Sequence, residues 1–165
     1  MTGGVVVVVP PERAGEPEPL ADVTVAGGPT RSASVRAGLA ALPAGVTHVL
    51  VHDAARPVPV RDVWRRVLDA LEAGDVAVVP VVAVSDSLRE LNGGAVDRSR
   101  FVAVQTPQGF RLDVLQHAHE GAGDASDDAT LVEATGAKVS TVDGDPRNIK
   151  ITEPWHLTVA ELLTA

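Results

Sequence analysis

The residues in this sequence best suited to chemistry are Asp53 and Arg56, carried by Thr-His-Val-Leu-Val-His-Asp-Ala-Ala-Arg-Pro at positions 47–57. The stretch begins as a short apolar strand and breaks into small residues bearing one carboxylate and one guanidinium. The carboxyl ends of strands are where an open α/β sheet keeps its ligands. Ala54 and Ala55 allow a ligand close to the backbone, while Pro57 ends the turn and holds it out of helix. Taken alone, the stretch reads equally well as a strand followed by a solvated Asp and Arg.

Four further polar clusters sit at strand ends or loop starts: Arg31 with Ser34, Ser87, Arg98 with Thr106, and Lys150. In a parallel sheet such ends lie along one edge. Several cations and hydroxyls around one carboxylate, without a nucleophile or a metal cage, suit the holding of phosphates and a sugar-like polyol. They do not suit hydrolysis through a covalent intermediate. Common motifs are absent: there is no Gly-x-x-x-x-Gly-Lys and no Gly-x-Ser-x-Gly, and Gly121-Ala-Gly123 lacks both a further glycine and a preceding strand. None of His48, His52, His117, His119 and His156 pairs at i, i+4 with a Glu between, so no metal ligand is assigned. His52 beside Asp53 suggests an acid–base pair, but neighbours in a strand face opposite ways, and His52 is read as structural.

The elements that must hold these groups follow from composition and period. The 165 residues fit one domain, 1–165, and are 45% hydrophobic but only 2% aromatic, which implies an aliphatic core. A net charge of -8 and few rings to stack on argue against nucleic acid and against an anionic membrane. With no cysteine there is no disulfide, thiolate metal site or Cys nucleophile, in agreement with a reducing cytoplasm. The apolar run at 5–9 is too short to span a bilayer and has no basic segment before it, so a soluble, cytoplasmic protein is expected.

Strands are predicted at 4–9, 23–25 and from Thr47, with a proline- and glutamate-rich loop over 10–19 and a helix over 32–42. A second helix spans 60–73, its Trp64 read as core packing. A strand follows over 75–84, where Pro80 implies a bulge or an edge. Residues 88–91 and 95–98 flank Asn92-Gly93-Gly94 as a hairpin with too few apolar residues for a core, read as an arm lying on a second copy of the chain. Next come a strand over 101–105, a turn over 106–110 and a helix over 111–120. An acidic loop over 121–128 leads into a helix reaching about Thr135 whose Asp127 and Asp128 complement the dipole. The chain ends with a strand over 139–142, a loop over 143–148, a strand fragment over 149–151, and a helix capped by Thr152-Glu153-Pro154 and running to Leu163.

Five ordered motifs carry a resemblance: Gly27-Gly28-x-x-Arg31-x-x-Ser34-Val35-x-x-Gly38-Leu39, His52-Asp53-Ala54-Ala55-Arg56-Pro57, Val96-Asp97-Arg98, Gln105-Thr106-Pro107-Gln108-x-Phe110 and Asn148-Ile149-Lys150-Ile151-Thr152. Together they resemble the 2-C-methyl-D-erythritol 4-phosphate cytidylyltransferase family of the non-mevalonate isoprenoid pathway. The resemblance implies an α/β fold of the nucleotidyltransferase type, Rossmann-like. Its mixed, mostly parallel sheet would carry flanking helices and a protruding hairpin arm at about 85–100. The implied reaction is transfer of CMP from CTP to 2-C-methyl-D-erythritol 4-phosphate with Mg²⁺ present, releasing pyrophosphate.

By the same resemblance Gly28 and Ser34 would meet the cytosine and Ala54 the nucleotide. Asp53 and Arg56 would hold the methylerythritol and Lys150 the CTP phosphates, and Arg98, Thr106 and Ser87 would bind the substrate phosphate. Lys150 and Arg98 would be the catalytic cations. Ser87 stands where the family usually has Thr. The arm would cross into a second subunit of a homodimer. The family opens with a strand and a loop Ala-Ala-Gly-x-Gly-x-Arg followed by Pro-Lys, which this sequence does not contain, so an N-terminally truncated, impaired chain is expected. Two functions are therefore weighed: the cytidylyltransferase itself, and a remnant serving as a sugar-phosphate-binding or dimerisation module.

Overall fold

A computed structural model of the chain describes residues 3–58, 60–121 and 123–164. Met1, Thr2, Pro59, Ala122 and Ala165 lie outside the described residues, so the expected loop 121–128 is seen on either side of Ala122.

β-Branched side chains fit a pleated strand better than a helix, and the valine run forms β1, Val6–Val9. A 3-10 turn, Pro11–Arg13, interrupts the proline-rich loop, where Arg13 pairs with Glu16 and Glu18. β2 is Val23–Ala26. The Thr30 hydroxyl accepts from the N–H of Ala33 and starts α1, Arg31–Ala40. β3, His48–Val51, is followed by α2, Arg61–Glu72, which buries Val63, Val67 and Leu71 along one stripe. α2 ends before Gly74, whose φ of +109° suits only glycine.

Next come β4, Ala77–Ala83, and a hairpin of β5, Leu88–Arg89, and β6, Ala95–Val96, paired antiparallel with Leu88 opposite Val96. A 3-10 turn, Arg98–Arg100, leads to β7, Val102–Val104, and then β8, Gln108–Arg111. α3 is Leu112–Glu120, and α4, Asp128–Ala134, is capped by the Asp127 carboxylate, which accepts from the Thr130 N–H. β9, Ser140–Asp143, and α5, Trp155–Thr164, complete the chain.

These elements form two compact units: Met1–Val49 with Phe110–Lys138, and Leu50–Gly109 with Val139–Ala165. In the first, β1 and β2 run parallel with Val6 opposite Val23, and Gly38 lets α1 approach β1, since a Cβ there would come within 3.1 Å of the Val8 side chain. Its interior holds Phe110, Leu115, Ala118, Ala129 and Val132. The second unit holds β4, β7 and β9 with the Leu50–Val51 part of β3 and the Gln108–Gly109 part of β8, in a mixed sheet of order β3, β8, β4, β7 in which β9 also pairs β4. β4 is parallel to β9 and antiparallel to β7. α2 lies on this sheet through Val67, Leu71 and Val78, with Leu50, Ala70 and Val142 packed around them.

Three local expectations are corrected. Residues 106–110 were expected to turn, yet Gln108 to Phe110 extend as buried strand in β8. A Cβ on Gly109 would lie 2.5 Å from Val67 and 2.8 Å from Leu71, so the glycine there serves close packing rather than a turn. Pro80 is buried inside the sheet, not at an edge: it stands opposite Val142 of β9, one residue before the pairing with β7 begins at Val81. Residues 149–151 form no strand. Their tie to the 53–57 turn is a bond of 2.7 Å from the Ile151 N–H to the Ala55 carbonyl.

Candidate active site

β3 ends at Val51, so the alternation of a strand no longer governs His52 and Asp53, and the following turn is free to gather several groups. The Thr106 hydroxyl oxygen lies 3.1 Å from the Asp53 N–H, which it accepts, and 3.0 Å from His52 Nδ1. The other ring nitrogen, Nε2, is 3.1 Å from the Arg56 carbonyl, and the ring stacks at a tilt on Trp64 with 4.9 Å between centroids. Burial lowers the His52 pKa, opposed by the Arg56 carbonyl and the Asp53 charge, so the ring favours its neutral form. His52, expected from the sequence to be structural, is held between Thr106, the Arg56 carbonyl and Trp64 at this turn.

Lys150 reaches the Asp53 carboxylate at 2.8 Å, and both remain partly open to solvent. Arg56 donates to the carbonyls of Asn148, at 2.7 Å, and Val104, at 3.4 Å. Burial lowers the pKa of its guanidinium, with the Asp53 charge opposing. A guanidinium stays protonated throughout the ordinary pH range, so the turn always carries this charge. Ala54 lies exposed in this turn, with no more than a methyl group to obstruct an approach.

The loop bearing Lys150 is fastened along its length. Asn148 Nδ2 donates to the Thr106 carbonyl at 2.8 Å, and Gln105 Nε2 donates to the Asp145 carbonyl at 2.9 Å. The Asp145 N–H returns to Gln105 Oε1 at 3.1 Å. Arg66 on α2 donates to the carbonyls of Asp143 and Gly144, and the Gly144 N–H bonds the Val81 carbonyl at 2.8 Å. A Cβ on Gly144 would fall 2.5 Å from Gln105 Oε1 and 3.0 Å from the Val81 carbonyl, so only glycine fits there. Arg147 holds the Asp145 carboxyl well below the usual range, at about 2.

Arg98 lies at the foot of the hairpin, exposed, with its guanidinium donating to the Ser85 carbonyl. Ser87 is exposed just before β5. The second unit therefore gathers Asp53, Arg56, Thr106 and Lys150 at the 53–57 turn, with Arg98 and Ser87 around the hairpin. In the first unit, Ser34 Oγ accepts the Gly28 N–H at 3.1 Å. A Cβ on Gly28 would lie 2.4 Å from that of Ala33, so the turn into α1 is closed by a residue without a side chain.

Arg31, read with Ser34 as one of the phosphate-holding clusters, is directed elsewhere. It pairs at 2.8 Å with Asp128, whose other oxygen is 2.9 Å from His119 Nε2. Asp128 is fully buried. Asp127 and Asp128 stand at the N-cap and in the first turn of α4, as expected, and Asp128 is in addition the buried partner of Arg31 and His119. Among the described residues, no group of three or more His, Cys, Asp or Glu is placed to hold a metal ion.

The family described as IspD, 2-C-methyl-D-erythritol 4-phosphate cytidylyltransferase, matches residues 2–165. The chain belongs to this family. It is similar to the 2-C-methyl-D-erythritol 4-phosphate cytidylyltransferase of Streptomyces avermitilis, at 41% identity over 183 residues covering 98% of this chain and 73% of that one. The enzyme of the same description from Saccharopolyspora erythraea is 48% identical over 150 residues, covering 86% of this chain and 67% of the other. The crystal structure of the Thermus thermophilus cytidylyltransferase superposes with a TM-score of 0.88 at 43% identity, over 98% of this chain and 82% of that chain. The nucleotidyltransferase-type α/β architecture expected from the motifs is therefore the fold, and the chain is a cytidylyltransferase-family enzyme. No described helix is long and apolar enough to cross a membrane.

Proposed function

We propose that this chain transfers CMP from CTP to 2-C-methyl-D-erythritol 4-phosphate, giving 4-diphosphocytidyl-2-C-methyl-D-erythritol and pyrophosphate. The observation that carries the reading is the convergence of Asp53, Arg56, Thr106 and Lys150 at the 53–57 turn of a cytidylyltransferase-family chain. An oxygen of the acceptor's phosphate forms a bond to the α-phosphorus of CTP while the bond from that phosphorus to the bridging oxygen breaks, and pyrophosphate carries the electron pair away. The attacking oxygen is already anionic, so no general base is needed. Positioning and neutralisation of charge are what the protein must supply.

In this reading Gly28 and Ser34 meet the cytosine and Ala54 the nucleotide. Lys150 neutralises the CTP phosphates, and Asp53 accepts from the hydroxyls of the methylerythritol. Arg56 acts through its fixed charge, since two of its nitrogens are already bonded to carbonyls. Ser87, Arg98 and Thr106 receive the acceptor's phosphate. The chain's own donor set does not suit a resident Mg²⁺: Asp53, the one carboxylate of the turn, is paired with Lys150. Magnesium is proposed to arrive bound to the triphosphate. A cytoplasmic homodimer completes the reading, its arm formed by the hairpin, where Leu91 is 98% exposed.

The test is pyrophosphate release from CTP and 2-C-methyl-D-erythritol 4-phosphate with Mg²⁺, using the wild type and Lys150→Ala. Turnover by the wild type that falls away in the variant supports the assignment. Dimerisation and ligand binding without turnover would make the chain a binding module instead.

A further inference from the structure

We propose that His52 is a positioning residue that sets the direction of the Thr106 hydroxyl proton, so that Thr106 donates to a substrate phosphate only when His52 takes up a proton. The inference rests on the proposed role of Thr106 as a phosphate contact and adds the group that controls it. A backbone carbonyl can only accept, so the 3.1 Å contact to the Arg56 carbonyl places a hydrogen on His52 Nε2. In the neutral ring, Nδ1 is then an acceptor. It lies 3.0 Å from Thr106 Oγ1, which already accepts the Asp53 N–H at 3.1 Å. The single hydroxyl proton of Thr106 therefore points at His52. What Thr106 shows an incoming phosphate is a lone pair, which repels it.

Protonation of the ring reverses this. Nδ1–H then donates to Thr106 Oγ1, both lone pairs of the hydroxyl are engaged, and its proton is released toward the phosphate. The imidazolium adds a positive charge beside the anion. The groups facing His52 are Asp53, which Lys150 partly neutralises, the Arg56 guanidinium, the Trp64 ring and Thr106. Burial and the Arg56 charge oppose ring protonation in the free protein, and a phosphate dianion supplies the charge that favours it. Binding of the acceptor and uptake of one proton are then the same event.

Affinity for 2-C-methyl-D-erythritol 4-phosphate is expected to weaken up to about tenfold per pH unit between the His52 pKa values of the free and bound states. The experiment is calorimetric titration with that ligand from pH 5.5 to 8.5, in buffers of different ionisation enthalpy, on the wild type and His52→Asn. The Asn amide can offer either an acceptor or a donor to Thr106 by rotating, with no proton uptake. The difference between the two proteins removes the ligand's own titration. Proton uptake present in the wild type and lost in His52→Asn supports the proposal. Equal uptake and equal pH slopes in both proteins overturn it while leaving the phosphate site intact, whereas no binding to the wild type at any pH overturns the site itself and this inference with it. Nitrogen-15 shifts of the free protein give a readout independent of ligand. They should show the Nε2–H tautomer at pH 7.5, and hydrogen on Nδ1 there also overturns the proposal.

Discussion

The Lys150 ammonium lies 2.8 Å from the Asp53 carboxylate, so two residues with different proposed duties hold one another before any ligand arrives. The pair stores the cation and the acceptor of the site in a neutral form. In the proposed reaction a triphosphate would draw Lys150 toward it, while Asp53 would turn to hydroxyls of the acceptor.

Removing either partner should separate these duties. Lys150→Ala should lower kcat by about 10²–10³-fold, the range found when one donor to developing negative charge is lost. Asp53→Ala should mainly raise the KM for 2-C-methyl-D-erythritol 4-phosphate, by about tenfold or more, as expected for one charge-assisted hydrogen bond. Steady-state kinetics in both substrates decide the matter. Equal losses in the two variants, shared by both KM values, would show that the pair acts only as a brace.

Arg98→Ala should raise the KM for the sugar phosphate by about 10–100-fold and leave that for CTP nearly unchanged. The side chain is exposed and its visible bond is to a carbonyl of a loop, so the melting temperature should stay within a few degrees of the wild type. An equal effect on both substrates would refute the assignment.

Asp128→Ala should cost about 3 kcal/mol or more in urea unfolding, because Arg31 loses its partner and a buried donor of His119 is left without an acceptor. Asp128→Asn keeps the shape and should cost less. A midpoint within error of wild type for both variants would mean that the buried carboxylate contributes nothing.

The lowered pKa of His52 also has a sign in stability. An unfolded histidine titrates near its ordinary value of about 6.5, and the folded one lower, so the unfolded chain binds the extra proton first. The contribution of His52 is complete above pH ~6.5 and is lost as pH falls through that value toward the folded pKa. Urea midpoints of the ligand-free wild type should therefore fall more steeply from pH 7 to 5 than those of His52→Asn. Parallel curves would contradict a neutral, buried ring.

Much of this arrangement is legible in the sequence because strands and caps are local. The valine runs, the acidic start of α4 at Asp127 and the Asp53–Arg56 turn all depend on a few neighbouring residues. What escaped was set by distant contacts. Thr106-Pro107-Gln108-Gly109 has the composition of a turn, yet Gln108 and Gly109 open β8, where Gly109 is set by close packing on Val67 and Leu71. Ile149 to Ile151 alternates like a strand but finds no neighbouring ladder. Arg31 looked available for phosphate because its partner, Asp128, lies far along the chain. The place of His52 was hidden by extending the strand's alternation past Val51 to His52 and Asp53. Once the strand ends at Val51, Asp53 N–H and the His52 ring can both turn to Thr106.

The many bonds along residues 143–151 bear on the thermodynamics of binding. Fixing one residue's backbone costs about 1–2 kcal/mol in lost entropy, and here that cost is met on folding through Gln105, Arg66, Val81 and Ala55. Lys150 is therefore presented on a preset backbone, and a nucleotide that binds it need order only the lysine side chain.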